Sequence, residues 1–329
     1  MRKIEKSKKI VLKKSEKVRG ISVKGVFNNN AKIKNFVKNY RRIGFQATNV
    51  AKAFEIIRKI KKERAIIFFG YTSNIISSGL RDLIALLVRY KKVDVLVTTG
   101  GGVEEDVIKT LNPFYLKDYS NFENTNDIEL RRRGINRIYN ILVPNSNYVN
   151  FEKFIMPFFD FIAEKEISSS EFINLLGYWL EKTKNKKRKE SICYWAYKNN
   201  IPVFCPTLTD GSIGDMIYFY TQYKKRNIII NQVKDTQKIN EIAMNAKSTA
   251  IISLGSGVVS HYMLNANLFR NGCDYAIYIN DAIPYDGSAA GAPPEEAISW
   301  GKIKDKSRYV KIFGDATIIF PLLMTAFFD

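Results

Sequence analysis

Short runs of apolar residues alternate with longer amphipathic segments along most of this chain. AIIFFG (65–70) precedes SSGLRDLIALLVRY, and VDVLVTTG (93–100) precedes VEEDVIKTL. IPVFCPT (201–207) precedes SIGDMIYFYTQYK, and STAIISLGSG (248–257) precedes VVSHYMLNANLFR. DYAIYIN (274–280) and YVKIF (309–313) complete the series, the latter ahead of DATIIFPLLMTAFF. Runs rich in Val, Ile and Phe without polar alternation suit strands buried on both faces. Strands alternating with helices imply a parallel sheet joined by crossovers. The expected fold is α/β: a Rossmann-like, mostly parallel sheet with helices on both faces.

Two regions break the alternation. Between about 150 and 200, FEKFIMPFFDFIAEKE, SSSEFINLLGYWLEKT and ESICYWAYKNN read as successive helices with no strand between them, a helical insertion on the sheet. The stretch from 113 to 135 lacks clear periodicity and reads as a long loop, a class often functional or partner-bound. The domain expectation is a basic extension over 1–30 and one catalytic domain over 31–329.

Composition changes this picture little. With 46% hydrophobic residues in 329, the chain has enough apolar material for a large core. It carries a net charge of +20, a field that attracts polyanions. Yet the basic clusters, at 2–24 and in KTKNKKRKE (182–190), lack the interleaved aromatics of a single-strand binding surface. Solvated faces are the better reading, and no nucleic-acid partner is expected. No run of about 18 apolar residues predicts a membrane span, and the N-terminus lacks a signal-peptide core. Cys193, Cys205 and Cys273 lie far apart without CxxC spacing, which suits reduced, buried thiols in the cytoplasm. A single histidine, His261, excludes zinc held by several histidines, and no metal is expected.

In open parallel sheets, ligands bind beyond the carboxyl ends of the strands. Small and polar residues recur there. Ser73, Asn74, Ser77 and Ser78 follow the first run; Thr98, Thr99, Gly100, Gly101, Gly102, Glu104 and Glu105 follow the second. Asp210 and Asp215 follow PVFCPT, GSG follows AIISL, and Asp315 follows YVKIF. Glycine lets backbone approach a pyrophosphate, helix N-termini offer it N–H groups, and a nearby carboxylate holds a ribose diol. Each site alone is ordinary turn chemistry. Five together favour a nucleotide cradle.

The acids near these turns are many for so basic a chain. Helix-dipole complementation accounts for the pairs Glu104–Glu105 and Glu295–Glu296. It accounts less well for Asp215, which reads as lying inside a helix. Converging acids would form a site for a diamine or polyamine, with Trp300 able to cover its methylenes or bind an ammonium. His261 sits one turn into a helix after GSG, where structural and functional readings weigh about equally. Lys302, two residues after Trp300, is either part of a solvated surface helix or a nucleophile. Spacing alone does not choose it.

DGS, EEAISWGKI and GDATIIFPLL together resemble the deoxyhypusine synthase family. So do GFQATN (44–49), TSNIISSGLRD (72–82), VTTGGGVEED (97–106), LRRRGINRIYNILVPNSNY (130–148), CPTLTDGSIGDM (205–216) and NGCDYAIYIND (271–281). The resemblance covers nearly the whole chain after about residue 40. It implies that NAD takes a hydride from spermidine and that Lys302 attacks the resulting imine, releasing 1,3-diaminopropane. A lysine of the translation initiation factor 5A precursor then accepts the aminobutyl group. By position, NAD would meet Ser73, Asn74, Ser77, Thr99, Gly100, Gly101, Glu105, Asp210, Ser256, Asp281, Ala282, Asp315 and Ala316. Spermidine would meet Glu104, Glu105, Asp215, His261, Gly287, Ser288, Glu296, Trp300 and Lys302. Lys302 and His261 would be catalytic. The family's homotetramer would place these sites between subunits.

Two departures stand out. Ala289 occupies the place after DGS where the family pattern has Asp, removing an acceptor for an ammonium. A charge-assisted hydrogen bond is worth roughly 1.5–3 kcal/mol. Ser256 makes the turn GSG where GGG is common, and the segment before residue 40 leaves a family-type N-terminal gate open. Ala289 bears on polyamine preference more than on reaction class. A synthase acting on free polyamines, of homospermidine synthase type, is one rival reading. A catalytically weak, basic binding protein is another.

Overall fold

A twisted sheet of six parallel strands organises the molecule, with its carboxyl edge carrying most of the residues singled out above. The computed structural model describes residues 33–117 and 126–328; the expected extension over 1–30 lies outside the described residues. The strands are β1 (Ile66–Tyr71), β2 (Val95–Thr98), β3 (Val203–Phe204), β4 (Thr249–Leu254), β5 (Cys273–Asn280) and β6 (Ile303–Phe313). They lie in the order β6-β5-β4-β1-β2-β3, and every pairing is parallel. This is the doubly wound order 3-2-1-4-5-6, whose direction reverses between β1 and β4.

Alternate side chains of each strand enter two separate cores. Ile67, Phe69 and Tyr71 of β1 join one, while Phe68 joins the other. The larger core is closed by α1 (Phe45–Glu63), α3 (Leu80–Arg89), α4 (Gly100–Leu111) and the C-terminal α12 (Ala316–Phe328); a short α2 (Ser73–Ser77) follows β1. The expected helical insertion is present in the β2–β3 crossover as α5 (Asn145–Ile162), α6 (Ser169–Lys182) and α7 (Ile192–Asn199). The smaller core lies under α9 (Gln232–Asn245), α10 (Val258–Leu268) and α11 (Pro294–Ser299); α8 (Ser212–Lys224) links β3 to this half.

Four expectations change. The insertion is not free of strands, because Glu166–Ile167 pairs with Ile229–Ile230. The supposed long loop contains Tyr115–Leu116 and a helix, Asp127–Arg132, and ends at the start of Ile135–Ile138; with Ile141–Pro144 just beyond, these strands form a small antiparallel sheet. β6 begins at Ile303 rather than 309; its first half, IKDKSR, is an edge segment, and edge strands tolerate charge that central strands cannot. Asp215 lies in the first turn of α8, so the helix dipole suits it after all. Among the described residues, no helix is long and apolar enough to cross a membrane.

Candidate active site

The ends of β1, β2 and β4 meet at the reversal of strand order. Each leads into a helix, α2, α4 and α10, whose capping residue, Thr72, Thr99 and Gly257 respectively, makes no side-chain cap bond. Elsewhere Asn126, Ser168, Ser191 and Asn231 cap their helices with side chains, while the capping residues of α1, α3, α5, α8 and α11 also make no such bond. The Ser73 N–H at the start of α2 is taken by Thr99 Oγ1, so the anion-receiving edge at the switch point is formed by the starts of α4 and α10, which have no side-chain cap. Gly257 adopts φ +70°, and a Cβ there would meet nothing within 4 Å, so this turn opens outward.

The GGG run is different. A Cβ on Gly100 would sit 2.4 Å from Asp210 Oδ1, on Gly101 2.7 Å from Ser73 Cβ, and on Gly102 2.1 Å from Thr98 Oγ1. These glycines first serve to let the chain close on itself, bringing Asp210 and Ser73 against the start of α4. The Ser73 N–H donates to Thr99 Oγ1 at 3.1 Å, tying the β1 and β2 turns together. Ser73, Asn74, Ser77, Thr99, Gly100, Gly101, Asp210 and Ser256 follow β1, β2, β3 and β4, of which β1 and β4 flank the switch. Asp281 and Ala282 follow β5, and Asp315 and Ala316 follow β6, farther along the same edge. Asp315 Oδ1 accepts from the Thr317 N–H at 2.7 Å and so caps α12.

Glu104 and Glu105 lie in the second turn of α4 and are buried. They do not complement their own helix dipole. Glu104 Oε2 instead accepts from the Ile213 N–H at 2.9 Å, capping α8 from outside. Burial pushes its carboxyl up to about 7 against that bond, and Asp210 and Asp215 push the same way. Glu105 Oε2 accepts from Ser77 Oγ at 2.5 Å, and burial raises it too to about 7, with Glu104 adding to the rise. Two buried carboxyls poised near neutrality beside two exposed aspartates make a receptor for cationic groups.

A second cluster surrounds Lys302. A cavity of about 270 Å³ is lined by His261 and Leu264 of α10, Tyr278 of β5, Gly287 and Ala289 of the connecting loop, and Glu296, Trp300 and Lys302. Lys302 is neither on a helix nor at the carboxyl edge. It stands in the turn between α11 and β6: its N–H donates to Ala297 O at 2.9 Å and its C=O accepts from the Cys273 N–H at 3.0 Å. Gly301, at φ +70°, makes that turn possible. Lys302 Nζ lies 5.5 Å from the centroid of the exposed Trp300 ring, within cation–π range. Burial and the nearby Lys302 charge lower the His261 pKa, favouring the neutral ring. His261 Nδ1 and Asn265 Nδ2 share a hydrogen bond at 3.2 Å.

The two departures meet in space. Ser256 Oγ, 2.8 Å from Ser260 Oγ, also donates to the Ala289 carbonyl at 3.2 Å. The serine thus anchors the loop that carries the alanine. Ser288 is exposed on that loop, and its N–H donates to Asp286 Oδ1 at 2.8 Å. The structure therefore gathers His261, Gly287, Glu296, Trp300 and Lys302 in one cavity. Glu104, Glu105, Asp210 and Asp215 form another group, and none of the four lines that cavity within the chain. A larger open groove of about 1310 Å³, between α1 and β6, holds none of these residues except the neighbouring Glu295.

Sequence reading passed over Tyr278. Its ring is 6% exposed and its hydroxyl has no hydrogen-bond partner among the described residues, yet it lines the Lys302 cavity. A tyrosine in an otherwise apolar buried strand is itself the signal, because a buried phenol ordinarily finds a partner. Tyr148 was also passed over; burial, with Glu105 and Glu104 beside it, pushes its hydroxyl up to about 12.

Comparison with known proteins gives the family. The family model for deoxyhypusine synthase matches residues 35–327. A protein of Pyrococcus furiosus named "Probable deoxyhypusine synthase" is 52% identical, over 97% of this chain and 98% of its own. A protein of the same name from Methanocaldococcus jannaschii is 50% identical, over 95% and 98%. The "Crystal Structure of a putative deoxyhypusine synthase from Entamoeba histolytica" superposes with a TM-score of 0.68 at 28% identity, covering 93% of this chain and 96% of that one. Matched by the family's model from residue 35 to 327 and half identical to such relatives over nearly its whole length, the chain belongs to the deoxyhypusine synthase family of enzymes.

Proposed function

We propose that this enzyme transfers the 4-aminobutyl group of spermidine to one lysine of the translation initiation factor 5A precursor, with Lys302 as the covalent carrier. The observation that carries this reading is the cavity in which Lys302, His261, Trp300 and Glu296 face one another. NAD, when bound, supplies hydride acceptance from the aminobutyl carbon and hydride return at the end. The uncapped starts of α4 and α10 suit its pyrophosphate, and Glu105 and Asp210 suit its ribose hydroxyls. Ser73, Asn74, Ser77, Thr99, Gly100, Gly101 and Ser256 complete that edge. Asp281, Ala282, Asp315 and Ala316 belong to it at the far strands.

Lys302 Nζ, as the free amine, adds to the oxidised carbon, 1,3-diaminopropane leaves, and a C=N bond to Lys302 remains. The precursor's lysine amine adds to the same carbon and expels Lys302. His261, favoured neutral, takes up and returns the protons that these exchanges release. Glu296 holds a substrate ammonium, Trp300 covers the methylenes, and Tyr278 offers its unused hydroxyl. Gly287 and Ser288 shape the loop above. Glu104, Glu105 and Asp215 receive the other cationic end. Because they do not line the same cavity within one chain, a homotetramer with sites between subunits is the arrangement that completes the pocket. The unpaired, buried Cys193, Cys205 and Cys273 suit a cytoplasmic enzyme. Residues 31–329 are proposed as one catalytic domain.

The test supplies NAD, spermidine labelled in its butyl arm, and the factor precursor. Label on the precursor supports the reading. Label only in a small polyamine points to the free-amine synthase instead, a relevant alternative because Ala289 offers the cavity no carboxylate. Label in neither product refutes transferase activity.

A further inference from the structure

The open groove of about 1310 Å³ between α1 and β6 takes no part in the chemistry above. Seven of its lining residues are Lys or Arg, and four are Glu or Asp. Three of those acids are already engaged. Glu55 pairs with Arg58 and Glu63 with Lys59, each at 3.3 Å, and Asp305 Oδ1 accepts from the Lys306 N–H at 2.8 Å. Among the described residues, Lys38, Lys52, Lys62 and Arg308 make no ion pair, so the groove presents cations without counter-ions. Ser307 Oγ, also in the lining, has no hydrogen-bond partner among the described residues. α11 stands between groove and cavity: Glu295 lines the groove, and the next residue, Glu296, lines the Lys302 cavity. Ser307, Arg308 and Tyr309 follow Lys302 by five to seven residues on β6, the edge strand of the sheet.

We propose that this groove docks an acidic segment of the precursor while the precursor's lysine enters the Lys302 cavity. This rests on the reading that the acceptor is a protein. A lysine that must approach Lys302 on a chain of net charge +20 is repelled at long range. An acceptor carrying acids near its lysine turns that repulsion into attraction, provided that cations stand beside the cavity to receive them. Groove and cavity, on either side of α11, supply that arrangement. A second copy of this chain suits the groove less well. It brings the same excess of cations, and the cores of protein interfaces are depleted in Lys and Glu. An acidic segment supplies counter-ions to Lys38, Lys52, Lys62 and Arg308 and an acceptor for the Ser307 hydroxyl.

The experiment separates two half-reactions of the full chain. Loading is the butyl label trapped on the enzyme by cyanoborohydride, with NAD and labelled spermidine and without precursor. Delivery is read as the KM for the precursor. Lys52→Glu/Lys62→Glu reverses two exposed charges of α1. It should load like the parent, which also shows that it folds, and raise the precursor KM by about tenfold, the scale of two exposed ion pairs. A decaglutamate peptide should compete with the precursor on the parent and compete less on this variant. Lys186→Glu/Lys187→Glu, the same change in the other basic cluster, should leave the KM unmoved. An unchanged KM in the α1 variant overturns the proposal. An equal rise in the Lys186→Glu/Lys187→Glu variant also overturns it, by assigning the effect to net charge. So does a change of oligomeric state in ultracentrifugation, which gives the groove to a second copy. Loss of oligouridylate RNA binding with the KM unmoved gives the groove to nucleic acid and overturns it too. A parent that loads but never delivers to the precursor refutes the acceptor reading instead.

Discussion

Glu104→Gln isolates the cost of keeping a carboxylate in this site. Glu104 is 6% exposed, and burial lifts its pKa from 4.5 to about 7. The native state therefore favours the protonated acid, while the unfolded chain ionises near the ordinary value. The stability this gives is fully present below pH 4.5 and is lost as pH rises through about 7. A rise of that size corresponds to about 3 kcal/mol lost by pH 8.5. Glutamine cannot ionise, and its amide oxygen can still accept from the Ile213 N–H, now at 2.9 Å. Urea denaturation at one protein concentration, repeated across pH, should show the variant equal to the parent below pH 4.5. By pH 8.5 it should be more stable by up to about 3 kcal/mol. Glu105 titrates in the same range and interacts with Glu104, so the parent's curve belongs to the pair. Spermidine should narrow the gap, because a cation that binds the charged acids stabilises the parent more than the variant. A difference that stays constant between pH 5 and 8.5, or a parent more stable than the variant at pH 8.5, would refute the reasoning.

Three further outcomes follow from named contacts. The chain has one histidine, so the imidazole C2–H resonance reports His261 alone; its titration midpoint should lie below 6.5 and rise in Lys302→Met, which removes one cause of the depression. Arg81→Met strands the buried Asp106, now 2.8 Å from Arg81 Nε, and should destabilise the fold by about 3–5 kcal/mol in denaturant titrations. Trp300→Leu should leave the unfolding midpoint nearly unchanged, the ring being 66% exposed, while raising the KM for spermidine by about 5- to 30-fold, the value of a cation–π contact.

The strands were legible because burial on both faces leaves an unbroken apolar run, as in AIIFFG and DYAIYIN. The first half of β6 was not, since an edge strand with one neighbour carries IKDKSR without penalty. The antiparallel appendage around residues 115–144 escaped for a related reason: its strands are two to four residues long, too short for a period to show. Turn residues at the carboxyl edge were legible as chemistry, yet the roles of the glycines were not. GGG closes the chain on itself, whereas the outward-facing glycine is Gly257. Lys302 was chosen by resemblance rather than by spacing: its cavity is lined from Ser260 to Lys302, but a helix, a strand and a loop must fold onto one another before those residues meet.

The central claim is that Lys302 carries the aminobutyl group. Enzyme incubated with NAD and butyl-labelled spermidine, without the factor precursor, can be treated with cyanoborohydride, digested and read by mass spectrometry. The account predicts label on the peptide containing Lys302, and neither trapped label nor transfer to the precursor by Lys302→Ala. Label fixed on a different lysine, or transfer by the Lys302→Ala variant, would contradict it.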